Sequence, residues 1–393
     1  MRRAAAHANA RSPLALMDPW MAARAVEIAG RAPRELEALV AISSPSGDVH
    51  GAEEAAALCA ALAPGGAHAE RVPCSSPDHA PDLLLRLPGE GRGRVLALGH
   101  LDTVVAHAEH RPLALQDGRY VGSGSIDMKG GVVLALGVLR ALAERRGDFE
   151  EVALLLVCDE EWRHVPFAHA GRFAGWDACL CFEAGERTAE GEDAVIVRRK
   201  AAGTLRVTAR GRAAHAGSAP EKGRSALLAL ARAAEHVAGR HDPDGPDRLT
   251  AVPTILRSGE ALNVVPAAGE LVADIRADSL EPIEALIAGV PTELDGVALT
   301  SEAVRLWPGM HTTEAAIPLL AEASRTLGRP VTGHGRGGAS DASHLATTVA
   351  RTVDGLGPRG GNAHHPDEYL SAESLRPRAE VALAVALASL GPA

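Results

Sequence analysis

The residue types that fit metal binding in this chain are His100, Asp127, Glu161, Glu183 and His364, with Glu160 beside them as a spare carboxylate. In three places an apolar run stops at such a side chain: 95–99 before His100, 152–158 before Asp159-Glu160-Glu161, and 178–182 before Glu183. Ser125-Ile126-Asp127 reads as a fourth strand end, and Ala363-His364-His365-Pro366-Asp367-Glu368 adds a fifth element near the C-terminus. In α/β folds the carboxyl ends of the strands are where sites are built.

A hydrolytic two-metal centre needs few charges per ion, an oxygen between the ions and an open position for water. The chain offers one histidine for each ion, His100 and His364, and one terminal carboxylate for each, Glu183 and Glu161. Asp127 is the candidate bridge. Asp102, two residues after His100, is placed to orient that ligand. Glu160 is left over, and a carboxylate beside the ions but not bound to them is what a general base requires.

Each part also has a plainer reading. A lone histidine at a strand end is more often a satisfied polar residue, and His107, His110, His164 and His169 fit that description. An Asp-Glu-Glu triplet is usually a solvated turn, though less so directly after an apolar strand. Gly122-Ser123-Gly124 has no Gly-Lys-Ser/Thr to complete a phosphate loop, and no HExxH occurs.

The surrounding pattern predicts two helical stretches within 20–42, separated near 30–33, then a turn at 43–47 and a helix over 53–63. Strands are expected at 82–87 and 95–99, and a helix over 131–144. That order implies a mostly parallel sheet with helices on both faces. From 195 the pattern changes: strand 202–209, helix 225–239, strands 250–258 and 269–276, helix 280–288, strand 297–303. This β-α-β-β-α-β succession is the ferredoxin-like arrangement. Helix–strand alternation resumes at 313 and ends in a helix over 371–390. The expectation is an α/β catalytic domain at 1–195 and 308–393, interrupted by an inserted α+β domain at 196–307.

Two domains suit a chain of 393 residues. A net charge of −10 with no basic block argues against nucleic acid as a partner. The five cysteines form no CxxC pair, and three of them sit in apolar runs, so a reduced, cytoplasmic compartment is expected. The stretch up to Asp18 reads as an extension without a signal-peptide core, and no run is long enough for a membrane span.

Eight short motifs carry a resemblance. They are Ser-Pro-Ser-Gly-Asp at 44–48, Gly-His-Leu-Asp-Thr-Val at 99–104, Gly-Ser-Gly-Ser-Ile-Asp-Met-Lys-Gly-Gly at 122–131 and Asp-Glu-Glu at 159–161. Ala-His-Ala-Gly follows at 214–217, Asn-Val-Val-Pro at 263–266, Gly-Gly-Ala-Ser-Asp-Ala at 337–342 and Ala-His-His-Pro-Asp-Glu at 363–368. In this order the chain resembles the dinuclear zinc hydrolases that include glutamate carboxypeptidase (carboxypeptidase G), acetylornithine deacetylase, succinyl-diaminopimelate desuccinylase and aminoacylase.

The resemblance implies two Zn2+ per subunit, with Co2+ or Mn2+ as substitutes. His100, Asp127 and Glu183 would hold one ion; Asp127, Glu161 and His364 the other, His364 rather than His365 matching the motif. Glu160 would be the base, with Asp102 supporting His100. It further implies a homodimer formed through the inserted domain, with His215 and Asn263 reaching the neighbouring active site. Arg276 would hold a substrate carboxylate, and Gly338, in the 337–342 motif, would line the substrate site. The opening motif and the Asn263-to-Arg276 spacing lie nearer the glutamate carboxypeptidase branch, which releases a C-terminal amino acid. The alternative is an N-acyl amino acid deacylase. A non-catalytic binding protein built on the same cleft would have lost a ligand or the base, and all are present. Two positions depart from the family pattern: Ser123, where arginine is common, and Trp162-Arg163-His164-Val165, where Gly-Ser is usual.

Overall fold

The computed structural model describes residues 17–391. The extension expected ahead of Asp18 lies, through residue 16, outside the described residues. Asp18 itself caps the first helix, Pro19–Val40, accepting the N–H groups of Trp20 and Met21. That helix runs unbroken through Pro33, where two stretches were expected. Met21, Ala25, Ile28, Ala32, Leu36 and Leu39 form one buried stripe at helical spacing, and burying it outweighs the backbone hydrogen bond that proline removes.

Six strands form the central sheet, in the order His68–Val72, Asp82–Pro88, Glu151–Val157, Arg94–His100, Ala178–Cys181, Thr352–Val353. The last four are parallel to one another, and Asp82–Pro88 runs antiparallel to both of its neighbours. The sheet is therefore mixed rather than mostly parallel. Apart from the largely exposed edge strand His68–Val72, its strands are buried on both faces and serve two cores by alternation. Val95, Ala97, Leu154 and Leu156 face one core, shared with helices Pro19–Val40, Gly130–Leu142 and Leu375–Leu390. Leu96, Leu98, Leu155 and Val157 face the other, closed by Phe167, Phe173 and the short helix Ala342–Leu345. The last helix begins at Leu375 rather than 371, because a 3-10 turn occupies Ala372–Ser374.

Parallel register explains why the acidic segments meet. His100 pairs with Val157, and Leu98 pairs with Cys181. Residues 159–161 and 183 therefore leave the sheet at the same carboxyl edge as His100. Asp127 is not at a strand end: it lies in an irregular turn, Ser125–Lys129, that leads into helix Gly130–Leu142. A small sheet pairs Tyr369–Ser371 with Arg119–Val121 and with Gly360–Gly361, which brings the His364 loop beside that turn.

A second sheet pairs Asp193–Arg199 with Val331–Arg336 in parallel. The chain then crosses at Lys200 into a five-stranded antiparallel sheet, ordered Thr250–Ser258, Ala268–Ala277, Ala201–Arg210, Val297–Trp307, Glu293–Leu294. Helices Ala226–Ala238 and Leu280–Ala288 cover one face over a separate core that includes Leu205, Val207, Leu230, Ile275 and Ile283. The chain returns through residues 308–309. No helix among the described residues is long and apolar enough to cross a membrane.

Candidate active site

Two imidazoles and three carboxylates alternate at the carboxyl edge of the central sheet. The Asp127 carboxylate lies between the histidines, with Oδ1 3.2 Å from His100 Nε2 and Oδ2 3.1 Å from His364 Nε2. Glu183 Oε1 flanks His100 at 3.7 Å, and Glu161 Oε2 flanks His364 at 3.2 Å. His364 rather than His365 reaches the cluster; His365 Nδ1 instead accepts the N–H of Asp367. The His364 backbone is left-handed, with φ +64°, a conformation that costs a non-glycine residue roughly 1–2 kcal/mol and that clusters at functional sites.

Asp102 ties three of these parts together. Its backbone oxygen lies 3.0 Å from His100 Nδ1, and its Oδ1 lies 3.3 Å from the same atom. The same carboxylate accepts the N–H of Glu160 at 3.2 Å and of Glu161 at 3.1 Å. With Nδ1 facing these acceptors, the neutral ring carries its proton there and turns the Nε2 lone pair toward Asp127.

The charges at the site are unbalanced without a cation. Burial, and then the Asp127 carboxylate, push Glu183 up to about 8. Burial also raises Glu160 well above the carboxylate range, with Asp341, Glu161 and Glu183 adding to it. Burial works against ionisation of Asp127, but His100 and His364 outweigh it and hold that group low. Hydrogen bonds to Asp127 and Glu161 lift His364 to about 10. Lone pairs of nitrogen and oxygen thus face one another, and the protein supplies only protons to separate them. Ligands about 2.0–2.1 Å from a tetrahedral zinc stand roughly 3.3 Å apart, which matches these contacts. His100, Asp127 and Glu161 form one group able to hold an ion. The chemistry of the donor set fits a bound metal ion.

The cluster opens into a cavity of about 440 Å³. Asp127, Glu160, Glu161, Glu183 and His364 line one side; Thr204, Asp274, Arg276 and Arg305, from the five-stranded sheet, line the other. No hydrogen bond or ion pair engages the Glu160 carboxylate among the described residues. Gly338 also lines the cavity, and its carbonyl accepts from Arg199 Nη1 at 2.7 Å. His215 and Asn263 are exposed and do not line this chain's cavity. They lie side by side, with the Ala216 N–H donating to the Asn263 carbonyl.

Residues 96–388 match peptidase family M20/M25/M40. The chain belongs to this family. Carboxypeptidase G2 of Pseudomonas sp. (strain RS-16) is 25% identical over 369 residues, spanning 87% of this chain and 85% of that protein. The succinyl-diaminopimelate desuccinylase of Halorhodospira halophila is 27% identical over 300 residues, 71% of this chain and 78% of that one. The crystal structure of aminopeptidase PepT from Bacillus cereus shares the fold, with a TM-score of 0.75 at 21% identity, covering 93% of this chain and 99% of that one. The chain is thus a hydrolase of a metallopeptidase family.

Within this M20-family chain, three residues matter beyond the expected ligands, base and substrate contacts. Glu368 accepts the N–H groups of Gly124, Ile126 and Asp127 at 2.8–2.9 Å, holding the turn that presents Asp127. Its place in the 363–368 motif was the only sequence signal. Arg305 lines the cavity without a carboxylate partner among the described residues, whereas Arg276 is tied to Asp274 through Nε and Nη2. Arg163 is fully buried, donating to Asp159 and to both oxygens of Asp341. At the other departure, Ser123 is buried and its Oγ accepts the N–H of Arg111. His107, His110, His164 and His169 stay outside the metal-ligand cluster. His169 pairs with Asp82 at 2.7 Å, while both ring nitrogens of His110 are buried without a partner.

Proposed function

We propose that the protein is a two-zinc amide hydrolase that releases a C-terminal amino acid from a small peptide, in the manner of a glutamate carboxypeptidase. The observation that carries this is the alternation Glu183, His100, Asp127, His364, Glu161, with the free Glu160 carboxylate in the wall of the same cavity. When bound, the two zinc ions supply Lewis acidity, lowering the pKa of water and polarising the scissile carbonyl.

The chain's own residues do the rest. Glu160 takes the proton of the attacking water and delivers it to the leaving nitrogen. Asp102 keeps His100 oriented and fixes Glu160 by its backbone. Arg305 and Arg276 face the cavity as cationic anchors, which suits a leaving amino acid with two carboxylates, such as glutamate.

Residues 196–307 act in this reading as a dimerisation and lid domain. A groove of about 890 Å³ beside helix Ala226–Ala238 exposes Leu227, Leu228 and Val264, and Thr250–Ser258 is an edge strand. Such a surface suits a second copy of the chain. His215 and Asn263 of the partner subunit would then close over the substrate, His215 stabilising the oxyanion.

Glu160→Gln should lower kcat about 10²–10⁴-fold with metal content unchanged; substantial activity in that variant removes Glu160 from the role of base. A panel of peptides against N-acetyl and N-succinyl amino acids decides the substrate, and preference for the acyl amino acids would make the enzyme a deacylase. Heterodimers of Glu160→Gln and His215→Ala subunits should recover one working site. Verified heterodimers without activity would place His215 outside the partner's site.

A further inference from the structure

A second cavity, of about 150 Å³, opens where the chain crosses between the main body and the five-stranded sheet. Its lining is five cationic residues, Arg198, Arg199, Lys200, Arg248 and Arg336, with Gly335 and Gly337 and no carboxylate. The chain as a whole carries a net charge of −10, so this concentration of positive charge runs against its composition.

A bulge builds the cluster. In the pairing of Asp193–Arg199 with Val331–Arg336, His334 faces Ile196 but Gly335 faces Arg198, so Val197 is the extra residue. A bulge re-aims the side chains that follow it. Arg199 turns inward to Asp354 and the Gly338 carbonyl. Arg198 stays exposed and lies across Gly335, where an added Cβ would stand 3.3 Å from its Nη2. Lys200 donates to the Arg248 carbonyl. Arg248 is backed by Asp278 at 2.9 Å and Arg336 by Glu186 at 2.8 Å, and neither carboxylate lines the cavity. The Arg198 guanidinium has neither ion pair nor hydrogen bond among the described residues. A Cβ added at Gly337 would meet nothing within 4 Å, so the backbone there is open to a ligand.

Like charges around one space repel, and an anion among them removes that cost. Guanidinium groups favour oxyanions, which they can bind with two parallel bonds. The space is smaller than the roughly 300 Å³ at which organic ligand sites begin. We infer that this cavity binds a small divalent oxyanion of the phosphate or sulfate class, gripped by Arg198 and Arg336 from the main body and by Arg248 from the other. The bound anion clamps the crossing at Lys200, and Gly337 in its lining is one residue from the Gly338 that lines the catalytic cavity.

The test is calorimetric titration of the metal-loaded enzyme with inorganic sulfate. One saturable site per chain is expected. Arg198→Ala and Arg248→Ala should each weaken it at least about tenfold, and both residues are exposed, so both variants should fold. Arg276→Ala, in the catalytic cavity, should leave the affinity unchanged. Sulfate should also raise the melting temperature of the parent enzyme beyond its general salt effect on Arg198→Ala. Inorganic phosphate and glycerol 3-phosphate separate the two sources of the anion: binding of both identifies a phosphoryl group on a larger molecule, and binding of phosphate alone identifies the free ion. No saturable binding at millimolar sulfate, or binding lost in Arg276→Ala but kept in Arg198→Ala, overturns the inference.

Discussion

Asp102 holds Glu160 by its main chain: Oδ1 accepts the Glu160 N–H at 3.2 Å, while the same side chain lies 3.3 Å from His100 Nδ1. One carboxylate therefore sets the orientation of a candidate ligand and the position of the candidate base together. Replacing Asp102 by Ala should lower zinc affinity about 10–100-fold. It should also lower kcat at saturating zinc, because the Glu160 loop loses its anchor. Competition with a chelator and steady-state kinetics at high zinc check the two effects separately.

Glu368 gives three backbone N–H groups of the Asp127 turn their acceptor. Glu368→Ala leaves them buried and unpaired, a loss of at least about 2 kcal/mol. Glu368→Gln keeps one acceptor oxygen and should fall between that variant and the parent. Denaturant unfolding of the three proteins should give that order.

Arg163 is the most buried cation near the site, lying between Phe167 and Trp307 at 4.8 and 5.3 Å. Arg163→Met would strand Asp159 and Asp341 as uncompensated carboxylates, a cost of about 3–5 kcal/mol. Neutralising both partners as well, in the triple variant with Asp159→Asn and Asp341→Asn, should recover part of that loss. Thermal unfolding of the single and triple variants measures it.

His344 gives a pH dependence. Burial lowers its pKa to about 4, its Nε2 has no partner, and its ring stacks on Phe167 at 5.3 Å and meets Trp307 at 4.8 Å. The unfolded chain takes up this proton near pH 6.5 and the folded chain only near 4. Stability from this residue is therefore whole above about pH 6.5 and is lost as pH falls toward 4. The loss is about 2 kcal/mol between pH 7.5 and 5. His344→Phe should be less sensitive to acid by that amount in paired denaturant titrations. Equal acid sensitivity of the two proteins would show that His344 is not buried neutral.

Metal loading should release protons. Without an ion, Glu183 and His364 hold theirs to about pH 8 and 10, and both must give them up to become ligands. At pH 7 zinc binding should expel more than one proton per chain, read as a dependence of the calorimetric heat on the buffer's ionisation enthalpy. Apparent affinity should rise with pH through neutrality.

Much of the candidate cluster could be read from the chain because apolar strands announce where they stop, and His100, Asp159 and Glu183 are at or just past those stops. Strand direction was not legible. Asp82–Pro88 has the same buried apolar character as the parallel strands of the sheet, yet it runs antiparallel to both of its neighbours. Pro33 and Gly30 looked like a break because local propensity was weighed without the stripe that the tertiary core buries. Arg163 stood out only as part of a departure from the family pattern and its role was not legible, since an arginine in a polar stretch reads as solvated and its partner Asp341 lies 178 residues away. Arg305 was missed for a related reason: alternation assigns a face of a strand, not what that face looks upon.

The order of the ligands along the chain has a consequence for synthesis. His100, Asp127, Glu161 and Glu183 precede the crossing at Lys200, but His364 comes only after the chain has returned. At 5–20 residues per second, roughly 10–40 s of translation separate Glu183 from His364. During that interval a nascent chain carries one imidazole and an unmatched surplus of carboxylates. A site assembled this way stays incomplete on the ribosome until residue 364 has emerged.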